Sequence, residues 1–130
     1  MNKWTGFIFL LGALLLAGLF FALRPAPQPD TLAAPLPAQT FAFTVEGGHL
    51  VGGPATVPLT QGTPITLRFL ASGKDEVHLH GYDLKVKLEP SEPADIHFLA
   101  DKSGRFEVEL HKSHATLFAL EVRPRHDRIN

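Results

Sequence analysis

Seven histidines in 130 residues, against one tyrosine, one tryptophan and one methionine, are the side chains here best suited to chemistry. Neutral imidazole ligates copper, nickel or zinc through a ring lone pair and titrates near physiological pH. Four of the seven fall in two short segments. Asp75-Glu76-Val77-His78-Leu79-His80-Gly81-Tyr82-Asp83 sets two imidazoles two residues apart, a spacing that puts both on one face of an extended strand. Glu109-Leu110-His111-Lys112-Ser113-His114 sets two more at the end of a later strand and in the loop after it. Brought together, His78, His80, His111 and His114 would supply a three- or four-nitrogen metal site, and a tetragonal all-nitrogen site suits Cu(II). Asp75, Glu76, Asp83, Glu107 and Glu109 are the carboxylates placed to orient those rings as outer partners. His49, His97 and His126 stand alone in the sequence and read as surface or core-edge residues.

Other chemistries find less support. The chain has no cysteine, which removes disulfides, thiolate nucleophiles and any metal centre that depends on a thiolate. It contains no G-x-S-x-G elbow, P-loop, H-E-x-x-H or G-x-G-x-x-G, so it is not read as an enzyme. A net charge of −1 offers no basic field for nucleic acid and no polybasic patch for anionic lipid.

The elements that must position the histidines follow from hydrophobic period. After Thr40 apolar residues alternate: Phe41, Phe43, Val45; Ile65, Leu67, Phe69; Ile96, Phe98; Phe106, Val108, Leu110; Phe118, Leu120, Val122. Such alternation marks strands with one buried face. Gly47-Gly48, Gly52-Gly53-Pro54, Gln61-Gly62, Ser72-Gly73, Glu89-Pro90 and Lys102-Ser103-Gly104 separate them as turns. The expectation is an all-β domain over 41–124, a Greek-key β-sandwich of about seven to eight strands, with a polar tail over 125–130. Pro58 and Pro64 belong on an edge or at a position that donates no ladder bond. Parity leaves one question open: His78, His80, Tyr82 and Leu84 share one parity and Val77 and Leu79 the other, so the imidazoles face either the end of the core near Leu110 or solvent.

The overall hydrophobic fraction of 45% averages over two unlike regions. Phe7 to Leu23 carries no polar side chain, and with the residues before it is long enough to span a bilayer core as a helix. Residues 1–24 therefore read as a signal anchor or transmembrane helix, with Trp4 suited to the interface. The absence of a clean A-x-A site favours this over a cleaved signal peptide. Residues 25–40 follow as a proline-rich tether, with Pro25, Pro27, Pro29, Pro35 and Pro37 favouring an extended, semi-rigid chain. The implied localisation is the cell membrane, single-pass, with the domain on the periplasmic or extracellular side.

In order and spacing, the segment D-E-V-H-L-H-G-Y-D followed by G-R-F-E-V-E-L-H-K-S-H-A-T-L-F-A-L-E-V resembles the cupredoxins, exported copper proteins with a small Greek-key sandwich. The resemblance covers roughly Phe41 to Val122. It implies copper as the metal and His78 or His80 as the mid-chain ligand. It also implies Leu110 at the position of the family's copper-binding cysteine, with His114 near the loop histidine and Leu117 or Phe118 in the region of the axial methionine. Without the thiolate, a blue electron-transfer centre is excluded. H-L-H-G also resembles the His-x-His-Gly segments of multicopper oxidases, which supports copper affinity alone. Two functional readings follow. One is a membrane-tethered copper binder acting in sequestration, delivery to a membrane protein or copper-dependent enzyme, or tolerance. The other is a metal-free structural or protein-interaction module beside a membrane complex.

Overall fold

The computed structural model describes residues 2–25 and 34–126, apart from the side chains of Lys3 and Thr5. Part of the expected tether, residues 26–33, and the end of the tail, 127–130, lie outside the described residues. The chain forms two units, residues 1–33 and 34–130.

In the first unit, α1 spans Lys3–Ala22. The segment is rich in leucine and alanine, which favour helix and outweigh its three glycines, and it contains no proline. Large apolar side chains project on every side: Trp4, Phe9, Leu15 and Leu16 are among those more than two-thirds exposed. The Arg24 guanidinium closes the C-terminal end over the rings of Phe20 and Phe21, at 5.1 and 5.0 Å from their centroids. Among the described residues no helix is long and apolar enough to cross a membrane.

Among the described residues the second unit is a sandwich of nine strands: β1 Gln39–Glu46, β2 His49–Leu50, β3 Thr56–Thr60, β4 Pro64–Ala71, β5 Asp75–Leu79, β6 Leu84–Leu88, β7 Pro93–Leu99, β8 Gly104–Leu110 and β9 Thr116–Arg123. One sheet has the order β2-β1-β4-β7, the other β3-β9-β8-β5-β6. Pairs β1·β4 and β3·β9 are parallel and the rest antiparallel. The expected alternation holds: along β4, Ile65, Leu67, Phe69 and Ala71 are buried while Pro64, Arg68 and Leu70 are exposed. The count exceeds the expectation because of the two-residue β2, too short to show a period; it takes His49 out of the turn region.

Inward side chains from both sheets meet in one core. At its centre Phe43, Phe69 and Phe118 stack, with Phe43 4.1 Å from Phe118 and 5.6 Å from Phe69 between centroids. Burying each such side chain contributes roughly 1.5–3 kcal/mol. Thr63, the one buried polar residue among those described, is satisfied by donating through Oγ1 to the Thr60 carbonyl at 2.7 Å. The prolines sit where a missing N–H costs nothing: Pro58 on the edge strand β3 and Pro64 at the first position of β4.

Candidate functional site

Strand register settles which way the imidazoles face. Val77 pairs with Leu110, His78 with Glu109 and Leu79 with Val108. Val77, Leu79, Val108 and Leu110 are fully buried, so by alternation His78 and Glu109 lie on the outer face of the five-stranded sheet. The positions that the cupredoxin resemblance gave to cysteine and methionine are core: Leu110 is fully buried, and Leu117 and Phe118 are buried. Leu110, and Phe118 as the partner of Val108, lie on the opposite face of the sheet from His78.

On that outer face the two histidine segments meet at one carboxylate. Glu109 accepts from His80 Nε2 at Oε2 (2.9 Å) and from His114 Nδ1 at Oε1 (3.1 Å). His78 lies against His80, with ring centroids 4.1 Å apart, and its Nε2 is 3.9 Å from Asp83 Oδ1. His111 is the first residue beyond β8, exposed, with its ring centroid 6.2 Å from that of His114. All four expected histidines therefore belong to one patch, linked through Glu109, whose side chain is only 20% exposed. The hydrogen bond from His114 is the main influence holding the Glu109 carboxyl below its ordinary range; burial opposes it, and the hydrogen bond and charge of His80 add to the lowering. Among the described residues, no three His, Asp or Glu side chains converge as they stand into a group that could hold a metal ion.

The backbone around the patch is firmly tied. His80 N–H donates to the Glu107 carbonyl (2.9 Å) and His111 N–H to the Glu76 carbonyl (2.8 Å), so the ladder continues past both strand ends. Asp75 Oδ1 accepts from Lys112 N–H at 3.1 Å and from Glu76 N–H at 2.8 Å, joining the 111–115 turn to β5. His114 adopts a left-handed backbone, φ 54°, which for a non-glycine residue costs about 1–3 kcal/mol and here accompanies the contact of its ring with Glu109.

The rest of the H-L-H-G-Y segment is architectural. Gly81 has φ 84°, and a Cβ there would stand 2.5 Å from the Phe106 ring. Tyr82 packs its ring on Phe98 and Phe106, with centroids 4.8 and 4.9 Å away, and its hydroxyl exchanges hydrogen bonds with the backbone of Lys102. Burial raises the Tyr82 phenol above its ordinary range.

Of the histidines that the sequence leaves alone, His97 has partners. Its Nδ1 is 2.9 Å from Thr66 Oγ1, and Asp95 beside it pairs with Arg68 through two bonds of 2.8 and 2.7 Å. This set lies on the exposed outer side of the other sheet, where Thr66 and His97 are cross-strand partners, a juxtaposition that no sequence spacing announces. Glu109 was legible only as one of five nearby carboxylates.

No family model and no curated protein matches the chain. Solved structures do. The metal-binding domain of a Cu(I)-exporting P-type ATPase of Streptococcus pneumoniae, solved with Cu(I), matches at 17% identity and TM-score 0.57, over 68% of this chain and 94% of that one. Auracyanin A, a blue copper protein of Chloroflexus aurantiacus, matches at 12% identity and TM-score 0.54, over 68% and 100%. The fold is cupredoxin-like. A chain of a heme-copper terminal oxidase dimer is also similar, at 16% identity and TM-score 0.54, over 92% of this chain and 99% of that one. At these identities the likeness is one of fold, and this cupredoxin-like domain departs from a blue copper centre in having no cysteine at all.

Proposed function

We propose that this chain is a membrane-tethered, exported cupredoxin-like protein that binds copper through histidines, for sequestration, delivery or tolerance, and is not a blue electron-transfer protein. The observation that carries the reading is the bridge from His80 through Glu109 to His114, which draws both histidine segments onto one outer patch. The donor chemistry fits: imidazole nitrogen with a carboxylate partner suits Cu(II), and no soft thiolate is present to favour another arrangement. Two imidazoles bound side by side on one ion through bonds of about 2 Å have centroids roughly 4.4 Å apart, close to the 4.1 Å between His78 and His80. The tether reading rests on the sequence, in which Phe7 to Leu23 carries no polar side chain. The likeness to a chain of a heme-copper terminal oxidase over 92% of this sequence supports a copper-related partner.

The test is copper loading of the whole purified chain followed by desalting. The expected result is about one retained Cu(II) with weak d–d absorption and no intense blue band. His80→Ala and His114→Ala each weaken binding by at least about tenfold, whereas His49→Ala and His97→Ala leave it unchanged. Loss of all copper on desalting, or equal losses across the four variants, would refute the reading and favour the metal-free interaction module.

A further inference from the structure

We propose that the open edge of β1 is a self-association surface, on which two copies of this chain pair antiparallel about a two-fold axis at Thr40 and so join their four-stranded sheets edge to edge.

Two hydrogen bonds fix which backbone groups are free. The Val45 carbonyl accepts from Ser72 N–H at 3.0 Å, just past the end of β4, and the Thr44 carbonyl accepts from Val51 N–H at 2.9 Å, just past the end of β2. Neighbouring residues of a strand turn their backbone groups to opposite sides. Phe41 and Phe43 therefore bond toward β4 as Val45 does, and Thr40 and Ala42 turn theirs to the side of β2. There β2 pairs only with Val45 and Glu46, and beyond Val51 the ladder stops. Among the described residues none pairs with Thr40 or Ala42 on that side, and both are exposed.

The other edges carry features that keep strands of different molecules apart. β2 is two residues long, β3 contains Pro58, β6 exposes Lys85 and Lys87, and β7 opens with Pro93. By contrast, Gln39-Thr40-Phe41-Ala42-Phe43-Thr44 has no charge, proline or glycine. A second copy fits this edge because a two-fold axis sets residues near their own repeats, where any charge would meet its like, and this strand has none. With Thr40 opposite Thr40 of the second copy, the two exchange both N–H···O bonds, and their side chains form a directly opposed Thr–Thr pair, which favours sheet pairing. Ala42 then faces Ala38 of the second copy. A register centred on Phe41 or Ala42 would slide each strand toward Val51 of the other copy, which already holds the place beside Thr44.

The absence of native cysteine makes cross-linking of the whole chain in detergent a direct test. In Thr40→Cys the opposed Cα atoms stand about 5.5 Å apart, within the roughly 4.4–6.8 Å that a disulfide spans. In Ala42→Cys the thiols are displaced along the strands by about 13 Å. Mild oxidation is expected to link Thr40→Cys into dimers and to leave Ala42→Cys unlinked. Sedimentation of the unaltered chain over a concentration series is expected to show a monomer–dimer equilibrium. Thr40→Lys sets like charges opposite each other and Ala42→Pro removes an edge donor. Each should weaken the dimer by about tenfold or more, with circular dichroism unchanged. Absent cross-linking of Thr40→Cys, or equal cross-linking of the two cysteine variants, would overturn the proposal. So would a dimer that survives both Thr40→Lys and Ala42→Pro, which would place the contact elsewhere, α1 included. A chain that stays monomeric up to about 1 mM would also overturn it and leave the edge to an extended segment of another protein.

Discussion

Gly81 shows how a motif residue that invites a chemical explanation has a steric one. In H-L-H-G-Y the glycine accepts a left-handed backbone against the face of Phe106, where the nearest ring carbon would come 2.5 Å from any added Cβ. Gly81→Ala is expected to destabilise the domain by about 1–3 kcal/mol through the backbone conformation alone, and by more if Phe106 cannot shift. Urea unfolding measures it; an unchanged midpoint would mean that the turn relaxes freely. The functional residues were legible unevenly at this scale. His78, His80, His111 and His114 are visible from spacing, but the pairing of Glu109 with His80 and His114 spans 29 and 5 positions and depends on register. A sequence fixes that register only through the competition between whole faces of a strand.

At the scale of elements, alternation sufficed for β1, β4, β7, β8 and β9, because each has one face in the core. It did not choose a face for β5: His78 and Val77 alternate equally well either way, and the choice is made by pairing with β8, where Val77 meets Leu110. Two buried leucine-class residues outweigh two imidazoles, since burying an unpartnered polar ring costs several times what its apolar area returns. On the other sheet, Arg68 and Asp95 clamp β4 to β7. The Arg68 hydrogen bond holds the Asp95 carboxyl below its ordinary range. A carboxylate whose pKa is depressed on folding contributes stability above its unfolded pKa, and that contribution is lost as pH falls through the folded value. Asp95→Asn is accordingly expected to flatten the decline in stability between about pH 5 and pH 2 and to leave other limbs of the profile unaltered, as thermal melts across that range would show. Because the pair is exposed to solvent, the effect is small and fades in high salt.

For the molecule as a whole, every buried core residue lies between Phe43 and Val122, so the sandwich supplies its own stability. Residues 34–130 expressed alone are expected to melt in a single cooperative transition at the midpoint seen for the whole chain. A broad or lowered transition would show that residues 1–33 contribute to the core. The all-β architecture was legible because turn signals and period-two runs recur along the domain. The sheet order was not, because both parallel pairings join strands that are distant in sequence.

One of those pairings governs when this protein can fold. The last strand, β9, is not an edge but the bridge between β3 and β8, and it brings Phe118, Leu120 and Val122 into the core. Until residue 123 is available, β3 has no partner and the central aromatic stack lacks a ring. Closing such distant contacts is slow. Synthesis alone therefore cannot trap a finished sandwich, and on the proposed route across a membrane the growing chain would stay threadable until its final strand arrives.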